Sequence, residues 1–232
     1  MQAATEVAIA GGFRRTSPLP PPSAAIRLRA QLLTAAQGRP DHIARGLESL
    51  VSWRTLRALL AGPWFGDGMG AGSSTPARWT IEKRLSLLGT PPGALAEALL
   101  AASGTPVKLH GIARCLRRAG GAPLSDMRTV WENSTRRGPD VCLLVEEGHD
   151  FLLTSPDGGV LVLAQGGQLV GGGDDGEGGV VTVADGDAVQ VLGFVDRVVD
   201  PAREEGAAPR SPALRTVVRS GDEVGLLMWK LP

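Results

Sequence analysis

Short apolar runs alternate with polar, glycine-rich stretches through the second half of this chain, whereas the first half carries the wider spacing of helices. After Gly104 the apolar residues are β-branched or leucine, in runs of four to six divided by Gly, Asp and Pro. That pattern predicts strands over 106–116, 128–133, 140–146, 150–154, 159–164, 179–184, 187–197, 214–219 and 222–230. The clearest hairpin is "FLLTSPDGGVLVLA" at 151–164, where Pro156, Asp157, Gly158 and Gly159 supply the turn between two apolar arms. Runs such as "VCLLV" and "VLVL" are apolar at every position, so both faces of those strands need cover.

Upstream, Leu28, Leu32 and Leu33 predict a helix over 23–38, with Ser23 as its N-cap and Gly38 as its stop. A longer helix follows Asp41, because Ile43, Leu47, Leu50, Trp53, Leu56 and Leu60 step by three or four until Gly62-Pro63 ends it. Two shorter helical pieces are expected at 80–89 and 92–103. Residues 62–78 read as a glycine-rich linker, and residues 1–22, ending in "SPLPPP", as a flexible proline-rich lead-in. The expected architecture is therefore α+β. A helical region over 23–103 packs on a small antiparallel β-barrel over 104–232, and its helices cover the barrel's second face.

Composition narrows the function classes. With 232 residues and 43% hydrophobic content the chain can bury a real core. Lys+Arg and Asp+Glu are equal at 24 each, so no global field draws it to nucleic acid or an anionic membrane. Basic residues nonetheless outnumber acidic ones over 1–103, and the reverse holds over 104–232. Two cysteines without a CxxC pair build neither a disulfide framework nor a zinc knuckle, which points to a reduced, cytoplasmic setting. No apolar run reaches the roughly 18 residues of a membrane helix, and the first residues lack the basic start of a secretion signal. A soluble chain with no integral membrane segment is expected.

Four segments in order carry a family resemblance: "GTPVKLHGIARC" at 104–115, "APLSDMRTVWE" at 122–132, "HDFLLTSPDGGVLVLAQGG" at 149–167 and "DGDAVQVLGFV" at 185–195. Together they resemble the GIDE-type domain of membrane-anchored mitochondrial RING ubiquitin ligases and their bacterial and archaeal relatives. The resemblance implies a small barrel, OB-like or GIDE-like in type, and offers no catalytic residue to carry over. Arg128 to Trp131 depart from the Cys and Tyr common after "PLS" in the family, and the transmembrane helices usual beside the domain are lacking. A RING needs about eight Cys and His ligands. Two Cys and three His exclude RING-type ligation by this chain.

Candidate chemistry is sparse. "GDGMGAGSS" at 66–74 has the glycines of a phosphate cradle but neither the strand-to-helix setting nor the lysine, and reads as linker. Asp174, Asp175 and Glu177 in the glycine-rich stretch 166–179 suggest calcium without spelling a calcium-loop pattern. His42, His110 and His149 show no metal spacing, and Cys115 and Cys142 lie in apolar strand patterns that suit inert thiols. Arg114, Arg117, Arg118, Arg136 and Arg137 could form a basic edge, but a chain without tyrosine supplies few stacking rings, so nucleic acid is not the expected partner. Trp64, Phe65, Trp79 and Trp131, with Arg117 and Arg118, are the candidate contacts for a protein partner, against the alternative that the aromatics pack internally. No catalytic, cofactor-binding or metal residue is assigned. The expected function is a non-catalytic protein-interaction or scaffold module. The alternatives are a hydrolase or transferase with dispersed residues and a peripheral membrane-associated subunit.

Overall fold

The β-branched and leucine runs become strands in the computed structural model of the chain, which describes residues 5–9, 11–18, 86–116, 129–137, 142–170, 180–199, 214–221 and 225–232. They form two sheets. In the first, β1 (Thr5–Ile9) and β2 (Gly12–Pro18) make an N-terminal hairpin; then come β5 (Cys142–His149), β4 (Thr129–Arg137) and β9 (Val181–Ala184), all antiparallel. The second sheet contains β3 (Pro106–Cys115), β6 (Phe151–Ser155), β7 (Gly158–Val162), β10 (Ala188–Val199), β11 (Leu214–Arg219), β12 (Leu227–Lys230) and the short β8 (Gln168–Val170).

Five strands of the second sheet close on themselves. β3 pairs with β6, β6 with β7, β7 with β11 and β11 with β10, which returns to β3; only the β7–β11 contact is parallel. Counted along the chain, the circuit runs first, second, third, fifth, fourth and back to first, a five-stranded Greek-key barrel of the OB kind. Closure depends on β10, whose 12 residues change partner part-way. Val189 to Leu192 pair with β12, and Phe194 to Val199 pair with β11. Gly193 stands at the changeover, where a Cβ would lie 2.7 Å from Leu226 Cδ1 and Val218 Cγ1. A side chain there would push β10 off its neighbours.

Both barrel ends are closed by apolar side chains. The helix α1 (Leu95–Leu100) is built from Leu, Ala and Glu, all strong helix formers, and buries Leu95 and Ala98. Its last carbonyls are capped from the barrel, since Arg197 Nη2 donates to Leu99 O at 2.9 Å and Ala101 O at 3.3 Å. At the other end the first sheet supplies Phe13, Trp131 and Val183, which join Leu109, Phe151, Val162, Val191 and Met228 in one buried cluster. The outer side of β10 and β12 is covered as well. Leu192 and Leu227 point away from the interior yet are 1% and 2% exposed, and Lys108 Nζ donates to Leu88 O in a helical turn over 86–89.

Several expectations are corrected. Among the described residues helix is confined to α1 and the turn at 86–89, so the α+β architecture with a helical N-terminal region gives way to a mostly β molecule. Among the described residues it is strands of the first sheet, through Phe13, Trp131 and Val183, that pack on the barrel core. The helices read at 23–38 and 41–61 and the linker at 62–78 lie outside the described residues. Residues 5–9 and 11–18, expected within a flexible lead-in, are the β1–β2 hairpin, in which Gly11 takes a turn φ of 68° and Phe13 is fully buried. The barrel is not purely antiparallel, because β7–β11 and β8–β12 run parallel.

Candidate functional site

Alternation along β2 turns Phe13 and Arg15 to the inner face of the first sheet. The register sets Phe13 opposite Gly148 and Gly148 opposite Trp131, and the two rings meet edge-on over the glycine with centroids 5.1 Å apart. One row along, Arg15 faces Glu146. Arg15 donates to Glu146 Oε2 through Nη2 at 2.6 Å and Nε at 3.0 Å, and Nη2 also donates to Gly167 O at 2.8 Å. With side chains 8% and 3% exposed, this is the buried ion pair among the described residues. It ties three separate parts together: the N-terminal hairpin, β5 and the turn that enters β8. Its charges are saturated by each other, so the pair is a fastener and not a reactive site.

On the outer face of the same sheet, Glu147 lies 3.9 Å from Arg14 across the β2–β5 ladder. His149 Nε2 is 3.4 Å from Glu147 Oε1 but is aligned too poorly for a hydrogen bond, and that nitrogen is shut off from solvent. Asp150 follows at the corner where β5 hands over to β6. Its N–H donates to Gly11 O, and its Oδ1 accepts from Ala164 N at 2.8 Å. Burial pushes the Asp150 carboxyl above the ordinary carboxylate value, against the opposing effects of the Ala164 bond and the neighbouring His149.

Three further carboxylates, those of Asp185, Asp187 and Asp196, hold turns and strands together. Around the β9–β10 turn, Asp185 Oδ1 accepts from Cys115 N at 2.8 Å, and its other oxygen lies 3.9 Å from Arg114. Asp187 Oδ2 accepts from Ala184 N at 2.8 Å and from Lys230 Nζ at 2.6 Å. Burial alone would raise Asp187, but those two donors outweigh it and hold the carboxyl below its ordinary value. Across β10–β11, Asp196 Oδ1 accepts from Ser103 Oγ and Arg197 N, each at 2.7 Å, while Arg219 Nε donates to Oδ2 at 2.6 Å. The Ser103 hydroxyl, the Arg197 N–H and Arg219 together lower this carboxyl to about 2.

Of the contacts expected for a partner, Trp131 is instead a core residue, 0% exposed. A bulge in the β4–β9 register between Thr129 and Trp131 allows both Val130 and Trp131 to be buried, and the Trp131 indole nitrogen has no hydrogen-bond partner among the described residues. Trp64, Phe65, Trp79, Arg117 and Arg118 lie outside the described residues, as do His42 and 171–179 with Asp174, Asp175 and Glu177. Residues 168–170 of the expected acidic loop form β8. His110 is exposed on β3, distant in register from His149, and Cys115 is half-buried at the end of β3 and in no disulfide. The structure therefore brings together residues not singled out from sequence: Arg15 with Glu146, Asp150 with Ala164, and Asp196 with Arg219. The sequence alone signalled none of them; alternation in "GFRRT" places Arg15 on the face of Phe13 only once β2 is a strand.

Among the described residues no three His, Cys, Asp or Glu side chains are grouped to hold a metal ion, and no helix is long and apolar enough to cross a membrane. Comparison with family models, curated proteins and solved structures finds no match.

Proposed function

We propose that this chain is a non-catalytic protein-interaction module built on the OB-like barrel. The observation that carries the reading is the use made of its carboxylates. Glu146 holds Arg15, Asp150 holds Ala164 N, Asp185 holds Cys115 N, Asp187 holds Ala184 N with Lys230, and Asp196 holds Ser103 with Arg219. Each of these contacts fastens a backbone N–H or a side chain of the fold itself, which is the use made of structural carboxylates. His149, beside Glu147, keeps its Nε2 out of solvent. The GIDE-type resemblance of 104–195 supports the same reading, and Cys115, which is in no disulfide, suits a reducing cytoplasmic setting.

The test is capture from native lysate with the full chain as bait, beside a Gly193→Val control whose barrel cannot close. A defined protein retained in stoichiometric amount by the parent and lost with the control is the expected result. Turnover of an ester, amide or phosphoester substrate by the purified chain, abolished in His149→Ala, would overturn the reading.

A further inference from the structure

Attack of a backbone nitrogen on the side-chain carboxyl of the residue before it is limited by crowding and by how firmly both groups are held. Asp followed by Gly is the least crowded pair, because glycine lacks the Cβ that hinders the approach. Among the described residues two such pairs lie in turns, Asp157–Gly158 between β6 and β7 and Asp185–Gly186 between β9 and β10. The other described aspartates, Asp150, Asp187 and Asp196, precede Phe151, Ala188 and Arg197.

The fold holds the two pairs differently. At Asp185–Gly186 both reacting groups are tied to β3: Asp185 Oδ1 accepts from Cys115 N at 2.8 Å, and Gly186 N donates to Ala113 O at 2.8 Å. Asp157 and Gly158 are exposed, and among the described residues nothing bonds the Asp157 carboxylate. The Asp157 N–H donates to Ser155 Oγ at 3.2 Å, a contact within the turn itself. Gly158 stands opposite Ser155 on the last rung of the β6–β7 ladder. An end rung opens locally at little cost, whereas Asp185–Gly186 is released only when its bonds to β3 break.

We propose that Asp157–Gly158 is a modification site, at which aspartate isomerises through a succinimide to isoaspartate. The Gly158 nitrogen loses its proton and bonds to Asp157 Cγ, and the carboxyl hydroxyl leaves with that proton as water. Water then adds back to the ring. Opening at Cγ restores aspartate, while breaking the bond between Gly158 N and the Asp157 main-chain carbonyl carbon gives isoaspartate. The main chain now runs through Cγ, one methylene longer, and a new α-carboxylate stands at the hairpin tip. A Cβ built on Gly158 would lie 3.7 Å from Leu99 Cδ1 and 4.0 Å from Leu95 Cδ2, so the altered tip bears on α1 and the barrel end it closes. The inference does not depend on the chain being a binding module.

The test ages the purified full chain at neutral pH, folded and in urea, and digests it. Each Asp–Gly peptide is then assayed as a methyl acceptor for protein isoaspartate methyltransferase with labelled S-adenosylmethionine. In the folded chain the 157–158 peptide is expected to gain label about tenfold or more faster than the 185–186 peptide, and in urea at about the same rate. Asp157→Glu, whose longer side chain would have to close a less favoured six-membered ring, is expected to lose the 157–158 signal and keep the parent's melting temperature. No isoaspartate at 157–158, equal conversion of the two pairs in the folded chain, or a gap that persists in urea would overturn the proposal.

Discussion

Removal of the Arg15 guanidinium tests how the N-terminal hairpin is held. In Arg15→Met the Glu146 carboxylate, whose side chain is 3% exposed, loses both of its bonds from Arg15, and Gly167 O loses its donor. Deleting one partner of a buried pair costs about 3–5 kcal/mol, because the remaining charge is desolvated and uncompensated. The stranded carbonyl adds on the order of 1 kcal/mol. Methionine recovers part of this by packing its stem on Phe13, over which the guanidinium carbon now sits 5.4 Å from the ring centroid. A net loss of about 4 kcal/mol follows, a large share of the roughly 5–15 kcal/mol that holds a domain together. Urea unfolding of the parent, Arg15→Met, Glu146→Leu and the double variant measures it, with tryptophan fluorescence as the probe. The double variant is expected to lose less than either single one, since apolar replacement of a whole buried pair is often neutral or stabilising. A single variant within about 1 kcal/mol of the parent, or strict additivity in the cycle, would refute the reasoning.

Gly148→Ala is expected to lose about 1–3 kcal/mol by overpacking, because the new methyl would lie 2.8 Å from both Phe13 and Trp131; thermal unfolding checks it. Asp150→Asn is expected to stabilise the protein at neutral pH. The amide oxygen still accepts from Ala164 N, while the desolvation that raises the Asp150 carboxyl is removed. In the parent, the raised native value means the folded chain holds this proton to higher pH than the unfolded chain does. Stability from this group is therefore present below the ordinary value of 3.8 and is lost as pH rises through the higher native one. The gap between Asp150→Asn and the parent should widen across that window and shrink in acid, a trend that melting temperatures from pH 3 to 7 would show.

How much was legible in the sequence differs by element. The hairpin β6–β7 was readable because both arms and the Pro156–Gly159 turn are contiguous, and β3, β10 and β11 were readable because each is a β-rich run with punctuation at its ends. β2 was not. "GFRRTSP" carries two arginines and a proline, so its local signal is that of a loop. It becomes a strand because β5, which lies 131 residues away at the Arg15–Glu146 bond, supplies both the ladder and the countercharge. Trp131 was ambiguous for a similar reason: an aromatic beside a polar segment suits an interface or a core, and only the opposed Phe13 and Gly148 decide for the core.

By itself, then, the order of apolar runs and turn residues determined that the chain after Gly104 would be strands, since alternation and turn geometry act over a few neighbours. Which strands meet was decided in three dimensions, by contacts between residues far apart in the chain. The parallel β7–β11 contact that closes the barrel, the change of partner at Gly193 and the Arg15–Glu146 pair that fastens the N-terminal hairpin have no local cause. Each is favourable only once its distant partner is in place, so no window of sequence contains it.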